Sequence, residues 1–149
     1  MMTDIWDILF LAKRLYDQTL QPVCDQAGIT RMELDILLFL ANNPAYDTAK
    51  DIIERRRLTK SHVSASVRDL TDRKWLEPSF QQNNRKTIHL RLLPAADDVV
   101  QRGRRAQVAF FSRLFEGFTS EEVNQIHLHL AQVAENAREA LTGGMKNAR

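Results

Sequence analysis

The sequence is poor in the residues that staple or break small proteins. Its 149 residues include one cysteine, four prolines and five glycines. A single thiol can build neither an internal disulfide framework nor a cysteine-based zinc site. It fits a reducing compartment, which points to the cytoplasm. The longest uninterrupted apolar run, Ile36 to Ala41, is far below the ~20 residues that span a bilayer, so no membrane partner is expected. The first residues, Met-Met-Thr-Asp-Ile-Trp-Asp, are acidic, and no signal peptide is expected there.

Signatures of catalysis are missing as well. The chain has no Gly-rich phosphate loop, no nucleophile elbow and no His-Glu-x-x-His. His127 and His129 stand two apart, which on a helix sends them to nearly opposite sides, whereas a metal pair needs three or four. The acid pairs Asp97-Asp98 and Glu121-Glu122 sit near helix starts, where the helix dipole favours them. Neither an enzyme nor a bound metal or cofactor is expected.

What is present is one domain's length of chain, 44% apolar and 27% charged. The formal charge of +2 conceals a division. From Thr48 to Arg91 eleven Lys and Arg face five acids, a net +6, while the rest carries ten bases and fourteen acids, a net −4. A concentrated basic segment is an electrostatic footprint for a polyanion.

Periodicity organises the chain around that segment. Ile5, Ile8, Leu9, Ala12, Leu15, Tyr16 and Leu20 recur at helical spacing, and Pro22 is expected to bend or stop the helix. Thr30-Arg31-Met32-Glu33 reads as a capping box opening a helix through Leu34 to Ala41. A short helix follows from about Thr48, its cap, to Arg56, with Ile52 and Ile53 turned inward. After a brief turn Thr59 is expected to cap another helix, with Val63, Val67 and Leu70 as its apolar stripe. The short joint predicts a helix-turn-helix.

The period then changes. Trp75 to Phe80 reads as an edge strand despite Pro78, and Thr87 to Leu92 alternates polar and apolar residues. Between them Gln81 to Lys86 is polar, predicting a hairpin with a basic tip. Pro94 opens a helix running to about Glu116. Thr119 to Glu122 is a second capping box, ahead of a heptad seam of Val123, Ile126, Leu130, Val133, Ala137 and Ala140. The tail after Leu141, with Gly143-Gly144, is expected to fray.

A helix-turn-helix followed at once by a basic hairpin is a winged-helix layout, suited to duplex DNA. The helix beginning at Thr59 turns Lys60, Ser61, His62, Ser64, Ala65 and Arg68 outward, small or hydrogen-bonding residues and two cations. They suit base edges in the major groove, and the hairpin's Arg85 and Lys86 suit phosphates or the minor groove. Cys24 reads as a small buried hydrophobe, and Phe110, Phe111, Phe115 and Phe118 as helix-packing core rather than an effector pocket.

These residues bring a resemblance into view. From Gly28 to Ala96 the chain resembles the MarR family of transcription regulators. It does so through Gly28-Ile29-Thr30, Leu34 to Leu40, Leu58-Thr59-Lys60-Ser61-His62-Val63-Ser64, Val67 to Glu77, and Asn84 to Leu92. The terminal helices fit as well, so the resemblance covers nearly the whole chain. It implies a mainly α-helical fold of about six helices plus a small β-hairpin wing, in a single unit over residues 1–149. Residues 30–93 would be the winged-helix DNA-binding part, and residues 3–27 and 94–142 the helical dimerisation part. Thr59, Lys60, Ser61, His62, Ser64, Ala65, Arg68, Asn84, Arg85 and Lys86 would touch DNA. Ile5, Ile8, Leu9, Ala12, Phe110, Leu114, Val123, Ile126, Leu130, Val133 and Ala137 would line a homodimer interface.

The resemblance further implies control of transcription at a pseudo-palindromic operator, more often repression, relieved by a small-molecule effector. The chain departs from the family's pattern in places. Asn84 and Lys86 replace the usual Asp and Arg of the wing, Leu92-Leu93 and Ala96 its Leu-Thr pair and Gly. Arg57 stands where the turn before the recognition helix usually has Gly, and Ala65 where a larger side chain is common. Two other readings stay open: a winged-helix module that binds protein, and a thiol redox sensor acting through Cys24.

Overall fold

The computed structural model describes residues 2–146, with side chains from 4 to 143. Six α-helices and one two-stranded sheet are found among the described residues. The described chain divides into two compact units, one up to Phe111 and one from Ser112.

In the first unit α1 spans Met2–Ala27. It does not stop at Pro22 as expected. That ring removes one amide donor, but Leu20, Val23 and Cys24 on both sides of it are buried, and this packing holds the last turns helical. The helix ends at Gly28, whose φ of 66° lets the Ile29 amide reach back 3.1 Å to the Cys24 carbonyl. Then α2, Arg31–Asn42, opens with the expected capping box: Thr30 Oγ1 accepts from the Glu33 amide at 3.1 Å, and the Glu33 carboxylate accepts from the Thr30 amide. Its Leu34, Ile36, Leu37 and Leu38 are fully buried and form the centre of the core.

The short α3, Ala49–Arg56, is capped by Thr48 and Asp51 in a second box, which the sequence reading credited to Thr48 alone. Next, α4 spans Lys60–Asp72 and buries Val63, Ser66 and Leu70. The buried stripe thus differs from the expected one. Ser66 takes a central place, and Val67 is only half-buried at its flank.

Strands β1, Leu76–Gln81, and β2, Asn84–Leu92, pair antiparallel. Only Gln82 and Asn83 form the turn, so the polar stretch expected at the tip is largely strand. After one 3-10 turn at Pro94–Ala96, α5 covers Asp97–Leu114. It lies close on α2 at Gly103, where an added Cβ would sit 2.8 Å from Leu38 Cδ2 and 3.3 Å from Leu34 Cδ1. Polar clamps flank this contact: Arg104 donates to the Ala41 carbonyl and the Asn42 side chain, and Arg102 to Gln26.

In the second unit α6 spans Ser120–Lys146 and opens with the expected Thr119–Glu122 box. The expected fraying after Leu141 does not occur there: the helix continues through Gly143 and Gly144, and residues 147–149 lie outside the described ones. Val123 and Ile126 of the seam are half-buried, whereas Leu130, Val133 and Ala137 are exposed.

Candidate nucleic-acid interface

The joint between α3 and α4 is set by one unusual residue. Arg57 has φ 54° and ψ 44°, the left-handed conformation that suits glycine. It turns the chain so that the Leu58 amide reaches 3.1 Å back to the Ile53 carbonyl. Leu58 then packs against the core. An arginine thus holds a conformation in which glycine is the usual residue. The same device recurs after α4, where Lys74 has φ 61° and the Trp75 amide bonds the Leu70 carbonyl at 3.0 Å.

At the start of α4 the expectation for Thr59 needs correction. It occupies the N-cap position with an extended backbone, but its side chain makes no capping bond. Thr30, Thr48 and Thr119 all cap, and an acid three residues on closes each box; after Thr59 that place is His62, so the reciprocal half of the box is missing as well. The first amides of α4 therefore have no side-chain partner, and no acid in the first turn offsets the helix dipole. An anion is favoured there.

The outward face of α4 carries Lys60, Ser61, His62, Ser64, Ala65 and Arg68, all exposed. Burying Val63, Ser66 and Leu70 puts Ser61, Ser64, Ala65 and Arg68 on the opposite, solvent-facing arc, with Lys60 and His62 at its edges. Among the described residues, no hydrogen bond or ion pair engages the side chains of Lys60, His62, Arg68, Arg85 or Lys86. Several other cations of the basic segment have partners. Arg91 pairs with Glu77 across the strands, Lys50 lies 3.7 Å from Glu54, and Arg55 stacks 3.5 Å over the Tyr46 ring. Arg73 donates to the Gly28 carbonyl at 2.6 Å and lies over Trp75.

The wing is held at its base by Asp47. The Leu90 amide donates to the Asp47 carbonyl at 2.8 Å, His89 Nδ1 lies 3.0 Å from the Asp47 carboxylate, and Thr48 bridges to His89. Sequence reasoning missed this anchor, whose partners lie 42 residues apart. Asn84, expected to meet DNA, works within the wing. Its Oδ1 accepts from the amides of Lys86 and Thr87 at 3.1 and 3.3 Å, and its Nδ2 donates to Thr87 Oγ1 at 2.9 Å. This Asx-type turn orders the tip of the wing from within.

Several other expected residues also find their places. Ile5, Ile8 and Leu9 are exposed, at 60%, 63% and 58%, and so are their neighbours Trp6, Phe10 and Leu11. Ala12 and Leu114 are half-buried. Phe110 is buried inside its own chain, its ring 5.0 Å from Tyr16, which leaves it little surface for a partner. Of the four phenylalanines expected in the core, Phe111 and Phe118 are exposed. His127 lies against the Phe115 ring. Cys24 is fully buried, and burial pushes its thiol pKa up, away from the reactive thiolate.

A small cavity of about 110 Å³ opens between α1, α2, the α3–α4 turn and α5. Tyr16, Asp35, Leu38, Arg56, Leu58 and Gln107 line it. Gln107 donates to the Tyr16 hydroxyl at 3.0 Å, and Arg31 joins Asp17 to Asp35. Burial outweighs Arg31 at Asp35 and raises its pKa.

Helix-turn-helix, anchored hairpin and uncommitted cations together define a winged helix with a basic face. Residues 27–86 match the model of the MarR family. The fold is similar to that of solved MarR-family structures. A protein assigned to that family from Listeria monocytogenes, complexed with 26mer DNA, is 16% identical, with a TM-score of 0.75 over 89% of this chain and 87% of its own. A MarR/EmrR family transcriptional regulator from Acinetobacter is 20% identical, with a TM-score of 0.74 over 93% and 96%. BpsR of Bordetella bronchiseptica, whose DNA binding is regulated by 6-hydroxynicotinic acid, is 17% identical, with a TM-score of 0.65 over 85% and 90%. No curated protein matches the chain. The resemblance to the MarR family is thereby shown, in a mainly α-helical winged-helix fold. No helix among the described residues is long and apolar enough to cross a membrane.

Proposed function

We propose that the protein is a sequence-specific, DNA-binding transcriptional regulator that acts as a homodimer in the cytoplasm. The observation that carries the reading is the joint exposure of Lys60, Arg68, Arg85 and Lys86, none of them engaged by another side chain, beside the uncapped start of α4. An exposed cation left without an acid partner keeps its full charge for a phosphate, and each such contact releases counterions. Ser61, His62, Ser64 and Ala65 lie between them on α4, where they reach base edges in the major groove. The solved Listeria relative, complexed with DNA, supports the reading.

The dimer is supported by apolar surface that the single chain leaves open, at the start of α1 and along Leu130 and Val133 of α6. Two α4 helices would then meet successive major grooves of a pseudo-palindromic operator about 34 Å apart. Repression is the expected outcome, relieved by a small molecule. The cavity at Tyr16 is the effector site that geometry favours, because Arg56 and Leu58 on its wall flank the Arg57 turn leading into α4. At about 110 Å³ it is well below the roughly 300–1,000 Å³ of ligand pockets. An effector must therefore move that wall, and so bind the DNA-competent and released arrangements with different affinity.

The test starts by selecting duplexes from genomic fragments with the wild-type protein, then measuring affinity by fluorescence anisotropy against salt. Binding should weaken steeply as salt rises. Lys60→Glu combined with Arg85→Glu should abolish it while size-exclusion chromatography still shows the wild-type assembly. An unchanged affinity refutes the residue assignment, and failure of every duplex at low salt refutes DNA binding.

A further inference from the structure

The wing carries one feature that its charge does not explain. Phe80 is 53% exposed, a large apolar ring flanked along the chain by Ser79, Gln81 and Gln82. Its exposure follows from the pairing. Ser79 pairs with His89 and Gln81 with Asn84, so Phe80 alone on β1 stands opposite Arg85 to Ile88 on β2. The register shift takes Phe80 out of the regular alternation that buries Leu76 and half-buries Pro78. Asn84 fixes the opposite side of this irregularity through the amides of Lys86 and Thr87, so the distortion is built and held.

The ring also has company of one kind. Phe80, Gln81, Gln82 and Arg85 line a shared concavity of about 530 Å³ at the wing tip. From Pro78 to Ala96 the chain has no Asp or Glu, while Arg85, Lys86 and Arg91 are cationic. An apolar ring in an acid-free setting of amides and guanidinium suits neither solvent nor a basic protein. It suits a polyanion that also offers apolar surface. Duplex DNA does so in its minor groove, where deoxyribose walls and base-step edges flank acceptor atoms that Gln and Arg can meet.

We propose that Phe80 is an apolar minor-groove contact, seated against sugar or a base step beside Arg85, which supplies a salt-independent part of DNA affinity. This rests on the DNA-binding reading and adds to it a contact of a different physical kind. Arg85 and Lys86 contribute through charge, and their contribution falls with salt. Phe80 contributes by leaving water, and its contribution does not.

The test compares wild type with Phe80→Ala, Phe80→Leu and Arg85→Ala on a 30-base-pair duplex taken from the genomic selection, titrated by anisotropy at several salt concentrations. Phe80→Ala should bind about tenfold more weakly, the scale of losing one aromatic contact with nucleic acid, with an unchanged slope of log affinity on log salt. Phe80→Leu should recover most of the loss, which also separates a lost contact from a misfolded wing. Arg85→Ala should flatten the slope by about one for each phosphate released. If wild type binds and Phe80→Ala binds equally well, or loses affinity only by flattening the slope, the inference is overturned and DNA binding stands. If wild type retains no duplex, the broader reading falls and this one with it.

Discussion

Replacing Gly103 by alanine perturbs the closest approach between α5 and α2. The new Cβ would meet Leu38 Cδ2 at 2.8 Å and Cδ1 at 3.2 Å, with Leu34 Cδ1 at 3.3 Å. Carbon atoms pack best at about 3.5–4.0 Å, so Leu38 must retreat by most of an ångström. Leu34 and Leu38 are fully buried, so the retreat must be taken up by the packed core around them and by the small cavity that Leu38 lines. Overpacking of this kind costs about 1–3 kcal/mol. Alanine for glycine within a helix returns about 1 kcal/mol through propensity. The net is a loss of about 1 kcal/mol, or roughly 2–4 °C in Tm for a chain of this size.

Such a small net is persuasive only through its sign in a second background. Leu38→Ala removes the two methyl groups that clash and alone costs about 2–5 kcal/mol. Adding Gly103→Ala to that variant should stabilise it, because the propensity gain remains while the main clash is gone. Urea denaturation of the four proteins at one protein concentration gives the cycle. Should Gly103→Ala change stability equally in both backgrounds, α5 does not press on α2 as described.

Three further predictions address the helix ends and the half-buried Asp35. Thr30→Ala and Thr48→Ala should each cost about 1 kcal/mol by urea denaturation, and Thr59→Ala should cost markedly less, because only Thr59 makes no capping bond; equal losses refute the contrast. Arg57→Gly should stabilise the fold by about 1 kcal/mol by relieving a left-handed side-chain-bearing residue, and a loss of stability would show that the Arg57 side chain holds the turn. Asp35 has a raised pKa, so the fold disfavours its ionised form: stability present below its ordinary range is lost as pH rises through the raised value. Relative to wild type, Asp35→Asn should therefore be more favourable at pH 7 than at pH 4, and the reverse ordering in denaturant titrations refutes the burial account.

Some elements were legible because their causes are local. Three capping boxes lie within four residues each, and the helices they open were found where Thr30, Thr48 and Thr119 announced them. The start of α4 differs from the other three in the sequence too, with His62 where they have an acid, but the missing Thr59 bond is seen only in the structure. Pro22 and the Gly143-Gly144 pair misled. Each weakens a helix locally, but Pro22 is flanked by buried Leu20, Val23 and Cys24, which no local pattern displays. The stripe of α4 was misjudged at Ser66 for a similar reason, because a small hydroxyl looks solvent-facing until neighbouring helices close over it.

By itself the sequence determined the segregation of charge, the order of helices and hairpin, and the arc of α4 that must face outward. All of these follow from spacings of a few residues. Only the tertiary structure decided which polar side chains are free. Arg73, Arg91 and Asn84 look as available as Lys60, Arg68 and Arg85, yet the first three are engaged within the fold, by a carbonyl 45 residues away, a carboxylate across the hairpin, and the wing's own amides. Availability depends on which groups distant parts of the chain bring alongside. That is why the exposed cations, rather than the basic segment as a whole, define the face that meets DNA in the proposed function, and why the exposed Phe80 carries the further contact proposed for the wing.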